Sequence, residues 1–314
     1  MTKNCLKESL PSGRLEYTLT NDYMFKTYLQ RSEIALKSLL CALLQIDSAT
    51  IKSIVILNPI DEGKAINNKM LILDIKILLN DNEIINIEMQ VADLGNWEER
   101  SLTYLCRAFD QLNAGEDYLE AKKTIQIGIL DFTPDNFPAE FFMDYIMYNE
   151  KTHHVYSDKL HIIMLQLNQL GNPKDEELMP ELYHWAQLLK ATTWEEIGIL
   201  AEKDEAINET LVTLKSLSAD EDIRMQCEAR ERYHKDMNSI KQQGFNYGVK
   251  QGIEQGIKQG IEQGIEQGSE QMAKLTKILL DNHQQDLLMT ALEDEKVRQE
   301  LFKKYDIYSK PKSE

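Results

Sequence analysis

Apolar residues recur with helical spacing across residues 21–45, where Phe25, Leu29, Leu36, Leu39, Leu40, Leu43 and Leu44 share one face. Thr20 or Asn21 can cap such a helix. The β-branched run 51–57 predicts a strand, ended by Asn58-Pro59. Two runs of period-two alternation follow, 70–79 and 84–91. A second amphipathic helix covers 97–113 and stops at Gly115. Residues 124–130 read as a buried strand, which completes the order α-β-β-β-α-β. The hairpin makes part of the sheet antiparallel, and the second helix provides a crossover to the last strand.

Beyond Asp131 the pattern predicts loop and short helix over 132–149. A hairpin is expected from 155–156 and 160–167, turning at Ser157-Asp158. Residues 177–241 are helical and strongly charged. Glycine then occupies every fourth position from Gly244 to Gly268, seven of the chain's 14 glycines. Each glycine costs a helix about 1 kcal/mol relative to alanine. A four-residue period drifts about 40° per repeat around a helix. Two readings fit: a marginally helical low-complexity linker, or a helix that associates with a second copy. Helical patterning returns over 272–308. The expected divisions are 1–170, 171–243, 244–271 and 272–314.

The hairpin carries the candidate chemistry. On the first strand Leu71, Leu73, Ile75, Ile77 and Leu79 form an apolar face, with Asp74 and Lys76 opposite. On the second, Ile85, Ile87, Met89 and Val91 are apolar, with Ile84, Asn86, Glu88 and Gln90 opposite. The apolar faces must coincide, because a one-residue slip would put one of them in water. A loop of Asn80-Asp81-Asn82, with Asn82 left-handed, places Leu79 opposite Glu83 and Asp74 opposite Glu88; a two-residue shift would place Asp74 opposite Gln90, and both registers leave the three residues adjacent on one face. Two adjacent carboxylates repel unless water or a cation compensates them. The face is therefore either water-bathed surface or a site for a hard cation such as Mg²⁺. In the second case the Met89 carbonyl can add a ligand.

Charge qualifies this picture. The formal net charge is −17, which disfavours nonspecific nucleic-acid binding. It is uneven, however: residues 1–130 hold 14 Lys and Arg against 18 Asp and Glu, and the rest hold 21 against 34. Cys5, Cys41, Cys106 and Cys227 form no CxxC or Cys/His cluster, which argues against zinc and a disulfide framework. Cys41 and Cys106 read as small core residues. His153, His154 and His161 lack metal-ligand spacing. No apolar signal segment opens the chain and no run is long enough to cross a bilayer, so a cytoplasmic protein without a membrane partner is expected.

Several motifs then converge: Asn21-Asp22-Tyr23-Met24-Phe25-Lys26, Leu73-Asp74-Ile75, Ile87-Glu88-Met89-Gln90, Glu99-Arg100 with Tyr104 and Arg107, Gly115-Glu116-Asp117-Tyr118, and Ile127-Gly128-Ile129-Leu130-Asp131-Phe132. Over residues 18–135 the chain resembles the PD-(D/E)XK nuclease superfamily, and within it the Rpn-type recombination-promoting nucleases and transposases. The resemblance implies an α/β fold, a mixed sheet flanked by helices, followed by a mostly helical C-terminal region with the glycine tail. It implies a Mg²⁺-dependent DNA endonuclease (Mn²⁺ or Ca²⁺ being alternatives) in recombination, mobile-element or phage-defence biology. Asp74, Glu88 and the Met89 carbonyl would bind metal, with Asp74, Glu88 and Gln90 catalytic. Gln90 stands where the superfamily has lysine; it can orient water but carries no charge.

Three further assignments stay open in this reading. Lys76 either supplies the missing charge or pairs with Asp74. Asp22 matches the family's first-helix acid, or serves the helix dipole. Arg100, Tyr104 and Arg107 share a helix face opposite Leu102, Leu105 and Phe109, and either contact DNA phosphates or face solvent. The competing functional reading is an inactive nuclease-fold interaction protein that forms a homo-oligomer, a dimer, through its tail.

Overall fold

The first apolar helical stretch is two helices, α1 (Asp22–Arg31) and α2 (Glu33–Leu44). Ser32 between them has extended backbone (φ −123°, ψ 98°), and its hydroxyl accepts the Ala35 N–H at 3.1 Å. The spacing predicts one helix here. Serine instead diverts main-chain hydrogen bonding and starts the second helix.

These elements belong to a computed structural model that describes residues 10–57, 60–61, 71–72 and 75–307. The chain divides into two units at His234/Lys235. In the first, the strands are β1 (Ile54–Leu57), β2 (Ile60–Asp61), β3 (Leu71–Ile72), β4 (Ile75–Leu79), β5 (Glu83–Gln90), β6 (Lys123–Leu130), β7 (Phe142–Tyr148) and β8 (Val155–Gln166), with α3 (Trp97–Phe109) between β5 and β6. Six of them form one mixed sheet in the order β1-β4-β5-β6-β8-β7. Strands β5, β6 and β8 run parallel, and the outer pairs are antiparallel. Strands β2 and β3 pair separately.

The β4–β5 register runs from Leu79↔Glu83 to Ile75↔Ile87, which matches the register expected for a three-residue loop and keeps the apolar faces together. Its turn differs from expectation: Asn80 (φ 50°) and Asp81 (φ 60°) take the left-handed conformations, not Asn82. Two successive positive φ values suit the twist of a tight hairpin. The Asn80 side chain accepts the Lys52 N–H at 2.7 Å and donates to the Thr50 carbonyl at 2.9 Å, which ties β1 to the turn.

Helices α4 (Pro173–Leu178), α5 (Pro180–Lys190), α6 (Trp194–Lys203), α7 (Glu205–Ala219) and α8 (Glu221–Asp281) follow. Helices α1, α2, α5, α6, α7 and the start of α8 bury a continuous core against one sheet face, centred on Ile77, Ile85, Ile87, Ile127 and Leu165. Residues 171–230 thus share the core of the sheet. Helix α3 covers the opposite face, where Trp97, Leu130, Met143 and Met164 form a second cluster.

Segment 142–148 is strand, where the sequence suggests loop and short helix. The hairpin partner of β8 is β7, and Ser157-Asp158 lies inside β8 beside a register irregularity. As an edge strand β7 exposes apolar residues on both sides, so it lacks the alternation that marks a half-buried strand.

In the second unit the glycine repeat is helical within α8. Ile253, Ile257, Ile261 and Ile265 are exposed along it. Helices α9 (Gln285–Glu293) and α10 (Glu295–Lys304) pack with the end of α8 around Leu275, Leu279, Ala291 and Leu301. Among the described residues, no helix is long and apolar enough to cross a membrane.

Candidate functional site

Glu88 is on the sheet face that α3 covers, next to Gly128 in the parallel register with β6. That neighbour decides how close the helix comes. A Cβ at Gly128 would overlap carbons Cζ2 and Cη2 of the Trp97 indole, so the glycine makes room for the ring. Trp97 thereby seats the first turn of α3 over the sheet. Arg100, one turn on, is brought to Glu88.

The result is a buried ion pair. Glu88 is only 4% exposed. Its Oε1 accepts from Arg100 Nε at 2.7 Å and from Gln90 Nε2 at 2.9 Å, and Arg100 Nη2 also pairs with it. The other oxygen, Oε2, is buried and has no hydrogen-bond partner among the described residues. The Arg100 guanidinium carbon sits 4.9 Å from the centroid of the Tyr104 ring, which is buried.

The middle of this face is shielded from water, while Lys76 and Gln90 on it are half-buried. Asn86 is 1% exposed and Gln126, its neighbour on β6, is 0% exposed. Both amides, and the Trp97 indole N–H, lack hydrogen-bond partners among the described residues. Such groups are normally satisfied when buried. Polar residue type alone makes Asn86 and Glu88 read as surface.

The remaining predicted residues are placed as follows. Asp74 lies outside the described residues, so its pairing with Glu88 is not seen. Lys76 is half-buried opposite Asn86, in the same row. Met89 points its side chain into the core with Ile85 and Ile87. Asp22 sits in the first turn of α1, with its carboxylate 3.7 Å from Arg230 Nε. Arg107 is half-buried. The buried face of α3 is Trp97, Ser101, Tyr104, Leu105 and Ala108, so Tyr104 faces inward and Leu102 outward. Cys106 is exposed and Cys41 half-buried, against the expectation that both are core residues. Asp131, next to Gln90 through the Asp131 N–H to Gln90 carbonyl bond (2.9 Å), pairs with Lys190 at 2.8 Å.

Sequence reasoning missed Trp97 and Gly128. A large aromatic opening a helix, with a glycine inside a β-branched strand, is the only local signal of such a close approach. Among the described residues no group of three His, Cys, Asp or Glu is gathered as metal ligands.

A six-stranded mixed sheet with helices on both faces defines the class as an α/β fold. The sequence model described as PD-(D/E)XK nuclease family transposase matches residues 19–244. The chain therefore belongs to that family and has a nuclease-type function. No curated protein and no solved structure matches the chain.

Proposed function

We propose that the protein is a metal-dependent DNA endonuclease that hydrolyses phosphodiester bonds in recombination or mobile-element biology. One observation carries this reading: Glu88 is a buried carboxylate whose Oε2 has no hydrogen-bond partner among the described residues while Oε1 takes several donors. An orphaned buried anionic oxygen suits a hard divalent cation, Mg²⁺ first and Mn²⁺ or Ca²⁺ as alternatives. Glu88, Asp74 and the Met89 carbonyl would hold such a cation, which would supply Lewis-acid chemistry for activating water and polarising a phosphodiester. Lys76, on the same face, supplies positive charge, and Arg107 is the proposed phosphate contact. The test is nicking of supercoiled plasmid by the full chain in Mg²⁺. The wild-type protein should nick it, while EDTA or Asp74→Ala abolishes nicking. Full activity of Asp74→Ala would sink the ligand assignment.

The exposed Ile253, Ile257, Ile261 and Ile265 favour a second feature, self-association of the C-terminal helix with another copy. Light scattering on the full chain carrying Ile257→Glu and Ile261→Glu should show a lower mass than wild type. An unchanged oligomeric mass would count against it.

A further inference from the structure

We propose that Arg100 is a positioning residue of the Glu88 carboxylate, supported by Tyr104, and that Gln90 acts through Glu88 with it. This rests on the metal-site reading above and gives these three residues roles that differ from DNA contact and water orientation.

The geometry is one-sided. Arg100 Nε, Arg100 Nη2 and Gln90 Nε2 all converge on Oε1, and none reaches Oε2. Three donors on one oxygen fix the rotation of the carboxylate, because turning it would exchange a saturated oxygen for a bare one. Oε2 is thereby held as the single oxygen offered to a ligand. Arg100 is itself held: its guanidinium packs on the ring of Tyr104, one turn further along α3, and that ring is only 6% exposed. A Tyr104 side chain buried in this way supports the arginine and does not reach out to a phosphate. Were Arg100 to leave for DNA, Glu88 would remain as a buried carboxylate without its cation, a costly state.

Three roles for Arg100 make opposite predictions. A positioning residue, when removed, weakens metal binding by about 10- to 100-fold, as loss of a partner that orients a metal ligand does. A mere counter-ion competes with the metal, so its removal tightens binding by coulombic relief. A phosphate contact leaves metal affinity unchanged and raises the KM for DNA, with a shallower salt dependence.

The experiment is calorimetric titration of the full chain with Mn²⁺, beside plasmid nicking as a function of Mn²⁺ and of DNA. Wild type, Arg100→Gln and Arg100→Lys are compared. Positioning predicts weaker Mn²⁺ binding in Arg100→Gln, partial recovery in Arg100→Lys, and an unchanged DNA KM in both. Should Arg100→Gln fail to fold, Arg100→Lys alone still decides, since it keeps the charge and loses the fork. Tighter Mn²⁺ binding, or a changed DNA KM at constant Mn²⁺ affinity, overturns the proposal. Wild-type protein that binds Mn²⁺ but never nicks DNA overturns the nuclease reading alone, and the calorimetric comparison still decides positioning. Wild-type protein that binds no Mn²⁺ overturns both.

Discussion

Arg100 Nε lies 2.7 Å from Oε1 of Glu88, joining the helix after the hairpin to the strand before it. The Glu88 side chain is 5% exposed and that of Arg100 30%, so the pair is shielded mainly on the carboxylate side. Removing the arginine strands a buried charge, whereas removing both charges does not. Arg100→Gln is expected to destabilise the fold by about 1–3 kcal/mol. The double variant with Glu88→Gln should lose less than the sum of the single variants. Urea unfolding of the four proteins measures this, and strictly additive losses would show that the two groups are uncoupled in solution.

Gly128 sets the height of α3 above the sheet. Gly128→Ala forces the Trp97 ring away, and overpacking of this kind costs about 1–3 kcal/mol. The same shift carries Arg100 off Glu88, so activity falls with stability. On a Trp97→Leu background the alanine should be tolerated better, as thermal melts of the four variants would reveal. An equal cost in both backgrounds would place the strain elsewhere.

Burial, and then the negative charges of Asp22 and Glu231, push the Cys227 thiol up to about 11. The thiol therefore stays protonated through neutral pH and gains thiolate only as the pH rises towards that value. Iodoacetamide at about pH 8 should alkylate the exposed Cys106 and spare Cys227 in the native protein. Peptide mass mapping checks the order; modification of Cys227 at the rate of Cys106 would mean that the start of α8 opens readily.

The hairpin register was legible from alternation taken with loop length: alternation excludes one-residue slips, and a three-residue loop picks the Leu79↔Glu83 pairing from those that bury Ile75, Ile77 and Leu79 with Ile85, Ile87 and Met89. The polar face was not. Asn86 and Glu88 have surface-type side chains, and their burial depends on a helix docking through the non-local Trp97–Gly128 approach. On α3, Tyr104 is inside and Leu102 outside, the reverse of the faces that amphipathic spacing suggests. The break at Ser32 and the edge strand β7 escaped for local reasons: a serine cap inside a good helical stripe, and a strand with no single buried side.

The central claim is that the Glu88 carboxylate holds the metal of a nuclease. Its most direct test is cleavage of supercoiled plasmid in Mn²⁺ by the full chain and by Glu88→Gln, which keeps the shape of the side chain and removes its charge. Metal-dependent nicking is expected of the wild-type protein and none of the variant. Nicking by Glu88→Gln at the wild-type rate and at the same Mn²⁺ concentration would contradict it.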